Sequence, residues 1–171
     1  MNTWTIFIPS IATMLFTLAL VYLFIRQENK RRRQEIRIKE STELLRLRMQ
    51  AYERLILLLE RLNPESLVLR EQRHSMTSVQ LQAHLLKMIR HEFDHNLAMQ
   101  LYVSPTTWNK VKAAREGLIR LINTTAKDIK PEARALELGR SLIENMGNDL
   151  NLYFTDAVVT IKKEMNEFYG R

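Results

Sequence analysis

The sequence predicts an all-α protein, with one N-terminal transmembrane helix followed by a cytosolic antiparallel helical bundle. Three observations carry this. An uncharged apolar run opens the chain, apolar residues recur at helical spacing through the rest, and no alternating strand pattern occurs. The expected division is a transmembrane anchor over 1–25, a basic juxtamembrane helix or tether over 26–41, and a bundle over 42–171.

From Trp4 to Ile25 the chain runs 22 residues without a charge, 17 of them apolar. At about 1.5 Å per residue this makes a helix of roughly 33 Å, enough for a hydrocarbon layer of about 30 Å. A cleaved signal peptide would need a basic start and a small-residue cleavage site; Met1 to Trp4 hold no Lys or Arg, and the run ends in Tyr22, Leu23, Phe24 and Ile25. No basic residue precedes the span, whereas seven lie between Arg26 and Lys39. Because Lys and Arg are retained on the cytoplasmic side, the expected protein is a single-pass resident of the inner (cytoplasmic) membrane with its N-terminus outside and its C-terminal domain cytoplasmic. Trp4 and Tyr22 fall near the two interfaces, where amphipathic rings are favoured, and Pro9 falls near the start of the span, where a missing N–H does least harm.

Of the formal charge of +7, the segment Arg26 to Lys39 carries +5. A basic collar beside a membrane fixes topology and offers Arg26, Lys30, Arg31, Arg32 and Arg33 to anionic headgroups, so the lipid bilayer is an expected partner. No aromatic residues interleave with the collar, and no nucleic acid is expected. The absence of cysteine excludes disulfides, thiolate metal sites, thiol catalysis and palmitoylation.

Beyond the collar, Leu44, Leu47, Ala51, Leu55, Leu58 and Leu62 are spaced at helical intervals, and Leu45, Met49, Tyr52, Ile56 and Leu59 draw a second stripe beside them. The combined arc is too wide for a lone surface helix, so this segment is expected to be a central helix or half of an intermolecular contact, stopped by Asn63 and Pro64. Leu67, Val68 and Leu69 form a short run that packs across the bundle. Thr77 with Gln80 predicts a capping box opening a helix to about Leu101. Ser104 and Pro105 open another, as N-cap and first helical residue, through Ala126. Pro131 is expected to start the next, Gly147 to end it in the left-handed conformation, and Thr155 and Asp156 to cap the last. Residues 26–41 lack Gly and Pro, which favours a helix running on from the anchor.

Residues His91 to His95 spell H-E-x-x-H, the spacing by which two imidazoles on one helix face bind zinc and leave a Glu to activate its water. His84 falls on the same line. Asp94 lies between the two ligands, however. The extended form of the motif would need Gly and His where Ala98 and Leu101 stand, and a third ligand from the next helix would have to be Glu116, which nothing around it recommends. His91, His95 and His84 are therefore kept as metal candidates, with an incidental match the expected outcome. Four scattered glycines rule out a phosphate-cradling loop or nucleophile elbow, and Met76, Met88 and Met99 read as core filling. No catalytic residue and no cofactor is predicted.

The runs Leu45 to Leu55, Leu58 to Pro64, Ile89 to Leu97 and Tyr102-Val103-Ser104, with the patterns "RLxAYERL" and "EFxHNL...YVS", resemble a family of small uncharacterised single-pass membrane proteins of Bacteroidota. The resemblance implies an inner-membrane protein with a helical cytosolic domain and no assigned activity, cofactor or site, and makes the H-E-x-x-H incidental. The expected function is that of a membrane-anchored adaptor or structural subunit, non-catalytic, holding a partner protein or its own copies. Tyr52, Arg54, Arg61, Phe93, His95, Asn96, Tyr102 and Trp108 are its candidate partner or packing residues. The alternatives are a zinc-dependent hydrolase using residues 91–95 and a stalk like the ATP synthase b subunit, against which the helix stops at Pro64, Pro105 and Pro131 count.

Overall fold

In a computed structural model, which describes residues 4–169, with the side chains of 4–13, 15, 35–38, 40, 148 and 169 outside that description, the chain is all-helical. Helix α1 runs Trp4–Leu62, α2 Pro64–Glu71, α3 Ser78–His95, α4 Pro105–Lys127, α5 Ala135–Glu144 and α6 Asn148–Tyr169, with a 3₁₀ turn at Leu97–Leu101. The chain divides into two units, Met1–Arg46 and Leu47–Arg171.

In the first unit the described apolar side chains between Met14 and Ile25 are exposed. Among the described residues no helix is long and apolar enough to cross a membrane; the Trp4 end of the apolar run, on which the predicted anchor also rests, has side chains outside the described residues.

The second unit is a helical bundle around one core. The C-terminal part of α1 supplies Ala51, Tyr52, Leu55, Leu58, Leu59 and Leu62, each at most 2% exposed, so both predicted stripes are used within the chain from about Met49 onward, whereas Leu44 at the head of the first stripe is exposed. Against them pack Leu67 and Val68 of α2, Leu81, Leu85, Ile89 and Phe93 of α3, Val111, Leu118 and Ile122 of α4, and Ile161 of α6. Side-chain pairs fix the directions. Ser104 and Thr107 of the α4 start meet Glu164, Lys110 meets Asp156, and Gly117 meets Leu150 and Tyr153, so α4 and α6 are antiparallel. Gln82 with Asn123 and Phe93 with Trp108 make α3 and α4 antiparallel. Arg48 with Phe168 and Tyr52 with Glu164 do the same for α1 and α6. At Gly117 a Cβ would stand 3.0 Å from the Tyr153 ring, which is why a glycine lets α4 and α6 close together here.

Local signals explain several boundaries. Asn63 caps α2 by accepting from the Glu65 N–H, with Pro64 at the first helical position. Thr77 and Gln80 form the reciprocal capping box. Ser104 caps α4 ahead of Pro105.

Four expectations are corrected. Helix α3 ends at His95 rather than near Leu101, because Asn96 closes it and its side-chain amide donates back to the Glu92 carbonyl at 2.9 Å. Helix α5 starts at Ala135 rather than Pro131: the Pro131 and Ala133 carbonyls accept from the Val79 and Ser78 N–H groups, and the Ala135 N–H donates to the Met76 carbonyl, which ties this stretch to the start of α3. Gly147 is not left-handed; α5 closes at Asn145 instead. Thr155 and Asp156 cap nothing, since α6 already begins at Asn148 and Asp156 pairs with Lys110 at 2.6 Å.

Candidate functional site

The second unit holds two polar constellations. The first is a half-buried junction at the start of α4. Glu164 of α6 accepts from the Ser104 N–H at 2.8 Å, from the Ser104 hydroxyl at 2.6 Å, from the Tyr52 hydroxyl at 3.1 Å, and from the Thr107 hydroxyl. The Ser104 hydroxyl also accepts from the Thr107 N–H at 3.2 Å, so it is used in both directions. A carboxylate facing a helix N-terminus is further favoured by the helix dipole. Burial alone would raise the Glu164 pKa; the donors from Ser104, Thr107 and Tyr52 outweigh it and hold the carboxyl below its ordinary value. Tyr52 moves the other way. Burial first, and the Glu164 charge second, push its phenol up to about 12.

The second constellation is a groove of about 150 Å³ between α1 and the end of α3, lined by Arg54, Leu57, Leu58, Arg61, Glu92, His95 and Asn96. Arg61 reaches Glu92 at 3.3 Å, and Leu57 stands 51% exposed beside it. Arg54 and His95 are exposed, and Asn96 is buried against α3. Two cations over an apolar floor, with one carboxylate already paired, suit a mixed polar and apolar protein surface.

The eight candidate residues thus divide. Arg54, Arg61, His95 and Asn96 converge on the groove. Tyr52, Phe93 and Trp108 are buried: Phe93 and Trp108 pack with ring centroids 5.2 Å apart, and the Arg115 guanidinium lies 4.1 Å from the Phe93 centroid. Arg115 Nε has no hydrogen-bond partner beneath that stack. Tyr102 is half-buried at the end of the 3₁₀ turn. Sequence reasoning missed Glu164. A signal existed: it is a lone carboxylate beside Ile161 and Met165 on the apolar side of α6, a position that asks for donors.

The metal candidates do not come together. Glu92 is paired with Arg61, and His84 with Glu71 at 2.9 Å. Burial would raise the Glu71 carboxyl, but hydrogen bonds from Arg70 and His84 outweigh it and hold it below its ordinary value. His91 and His95 are exposed, and Glu116 lies beside Arg115. Among the described residues no three His, Asp or Glu side chains form a group able to hold a metal ion.

No curated protein and no solved structure matches the chain. Residues 1–168 match DUF7935, and the chain therefore belongs to this family of unknown function.

Proposed function

We propose that the protein is a membrane-anchored helical adaptor or structural subunit, non-catalytic, that holds a partner protein or its own copies at the cytoplasmic face of the inner membrane. One observation carries the reading. Met14, Phe16, Leu18, Leu20, Val21, Tyr22, Leu23, Phe24 and Ile25 are 49–71% exposed and, at helical spacing, occupy every side of α1. A helix that is apolar all round needs lipid or protein about it, and the cations from Arg26 to Arg33 that follow suit a headgroup layer. The groove at Arg54, Leu57, Arg61 and His95 is the partner surface in this reading.

Alkaline carbonate extraction of membranes from cells making the full chain tests the anchor: retention in the pellet, with release by detergent, supports it, and release by carbonate ends it. A photo-crosslinker at Leu57 tests the holding role. Discrete adducts formed in native membranes, and lost with Arg54→Glu, support it; free monomer alone contradicts it.

A further inference from the structure

The membrane reading leaves the collar as a diffuse charge, but α1 sorts that charge by face. Tyr22, Ile25, Arg26, Asn29, Lys30 and Arg33 line one open groove along the helix. The offsets of four, four and three residues from Tyr22 through Arg26 and Lys30 to Arg33 keep these groups on one side, with Asn29 between them. None of the six carries a negative charge. Arg32, about 100° or more from each of the three groove cations, has its Nε 3.1 Å from Glu28 one turn before it. Arg31 falls about 90° or more from every cation of the groove at 100° per residue, and Lys39 lies off that face as well.

Resting on the membrane reading, we propose that this face is a binding site for the phosphate of an anionic phospholipid. Exposed Tyr22 and Ile25 lie at the end of the apolar run, where a ring and an aliphatic side chain meet the acyl–headgroup boundary. Arg26, Lys30 and Arg33 then extend over about 10 Å of helix into the headgroup layer. Their guanidinium and ammonium groups supply charge-assisted donors to phosphate oxygens, and the Tyr22 hydroxyl and Asn29 amide supply neutral ones. The result is a preference for net-negative headgroups over zwitterionic ones, located on one face rather than spread around the collar.

The test uses the full chain in nanodiscs of equal phosphatidylglycerol and phosphatidylcholine, with retained lipids counted by native mass spectrometry. The unmodified chain should retain phosphatidylglycerol preferentially, and the variant R26Q/K30Q/R33Q should lose roughly tenfold or more of that preference. The variant R31Q/R32Q/K39Q removes the same number of charges off the face and should keep it. Equal loss in both variants, or no preference in the unmodified chain, would overturn the site. A chain that fails to enter nanodiscs at all would instead defeat the membrane reading, and helicity of each variant by circular dichroism separates misfolding from lost binding.

Discussion

The Tyr52 hydroxyl donates to the Glu164 carboxylate at 3.1 Å across 112 residues of chain, joining α1 to α6 at the point where Ser104 and Thr107 begin α4. Three elements distant in sequence are registered by one carboxylate. The motif segments around Tyr52 and around Tyr102-Val103-Ser104 meet there, and their hydrogen bonds to Glu164 tie α1, the start of α4 and α6 together.

Tyr52→Phe removes one donor from a charged, half-buried acceptor while keeping the ring. A loss of about 1.5–3 kcal/mol is expected in urea denaturation at neutral pH. Native Tyr52 also couples stability to alkali. Its folded pKa, about 12, lies above the ordinary tyrosine value of 10.0, so the neutral phenol is favoured in the fold; its contribution is complete below pH 10.0 and is lost as pH rises through 12. Tyr52→Phe should flatten that limb.

Glu164 gives the opposite slope. Its folded pKa is depressed, so its contribution is present above the unfolded carboxyl value and is lost as pH falls through the folded one. Glu164→Gln, followed by denaturation midpoints from acid to neutral pH, should lower stability at pH 7 and weaken its acid dependence. An unchanged acid slope would show that other carboxylates govern it.

The two faces of α1 near the groove should respond differently. Leu55 is fully buried and Leu57 is 51% exposed. Leu55→Ala should cost about 2–5 kcal/mol and Leu57→Ala within about 0.5 kcal/mol, read from denaturant midpoints.

The Thr77 side chain caps α3, while the backbone on either side of it pairs with the 131–135 stretch, Ser78 N–H to the Ala133 carbonyl and Ala135 N–H to the Met76 carbonyl. Thr77→Ala should cost about 1 kcal/mol, while Glu92→Gln, which keeps the side-chain shape and gives up a pair whose Arg61 partner is 60% exposed, should cost about 1 kcal/mol or less. Metal analysis of the purified full chain and of Glu92→Gln should give the same content, because Glu92 is engaged by an arginine.

Three helix starts were legible from local capping signals, Asn63-Pro64, Thr77 with Gln80, and Ser104-Pro105, each acting within three residues, whereas the equally local Thr155-Asp156 lies inside a helix already begun at Asn148. The core face of α1 was legible from spacing alone. What escaped depends on distant partners. Pro131 reads as a helix start, yet its carbonyl is spent on Val79 of α3, and nothing within the neighbouring sequence announces that. Asn96 reads as an interior helical residue until its amide folds back on Glu92. In the site, Arg54, Arg61, His95 and Asn96 stand out one by one in the sequence, but their convergence on one groove requires the α1 and α3 packing. Glu164 was passed over because acidic residues are common on these helices, and only burial among donors distinguishes it from the others.

The lack of cysteine makes topology directly measurable, since any introduced thiol is the sole one in the chain. With a membrane-impermeant maleimide on intact spheroplasts, Asn2→Cys should be labelled at once and Leu152→Cys, exposed on α6, only after the membrane is opened. Labelling of Leu152→Cys before permeabilisation, or of neither site afterwards in a chain that has left the membrane fraction, would contradict an anchored protein with its helical bundle on the cytoplasmic side.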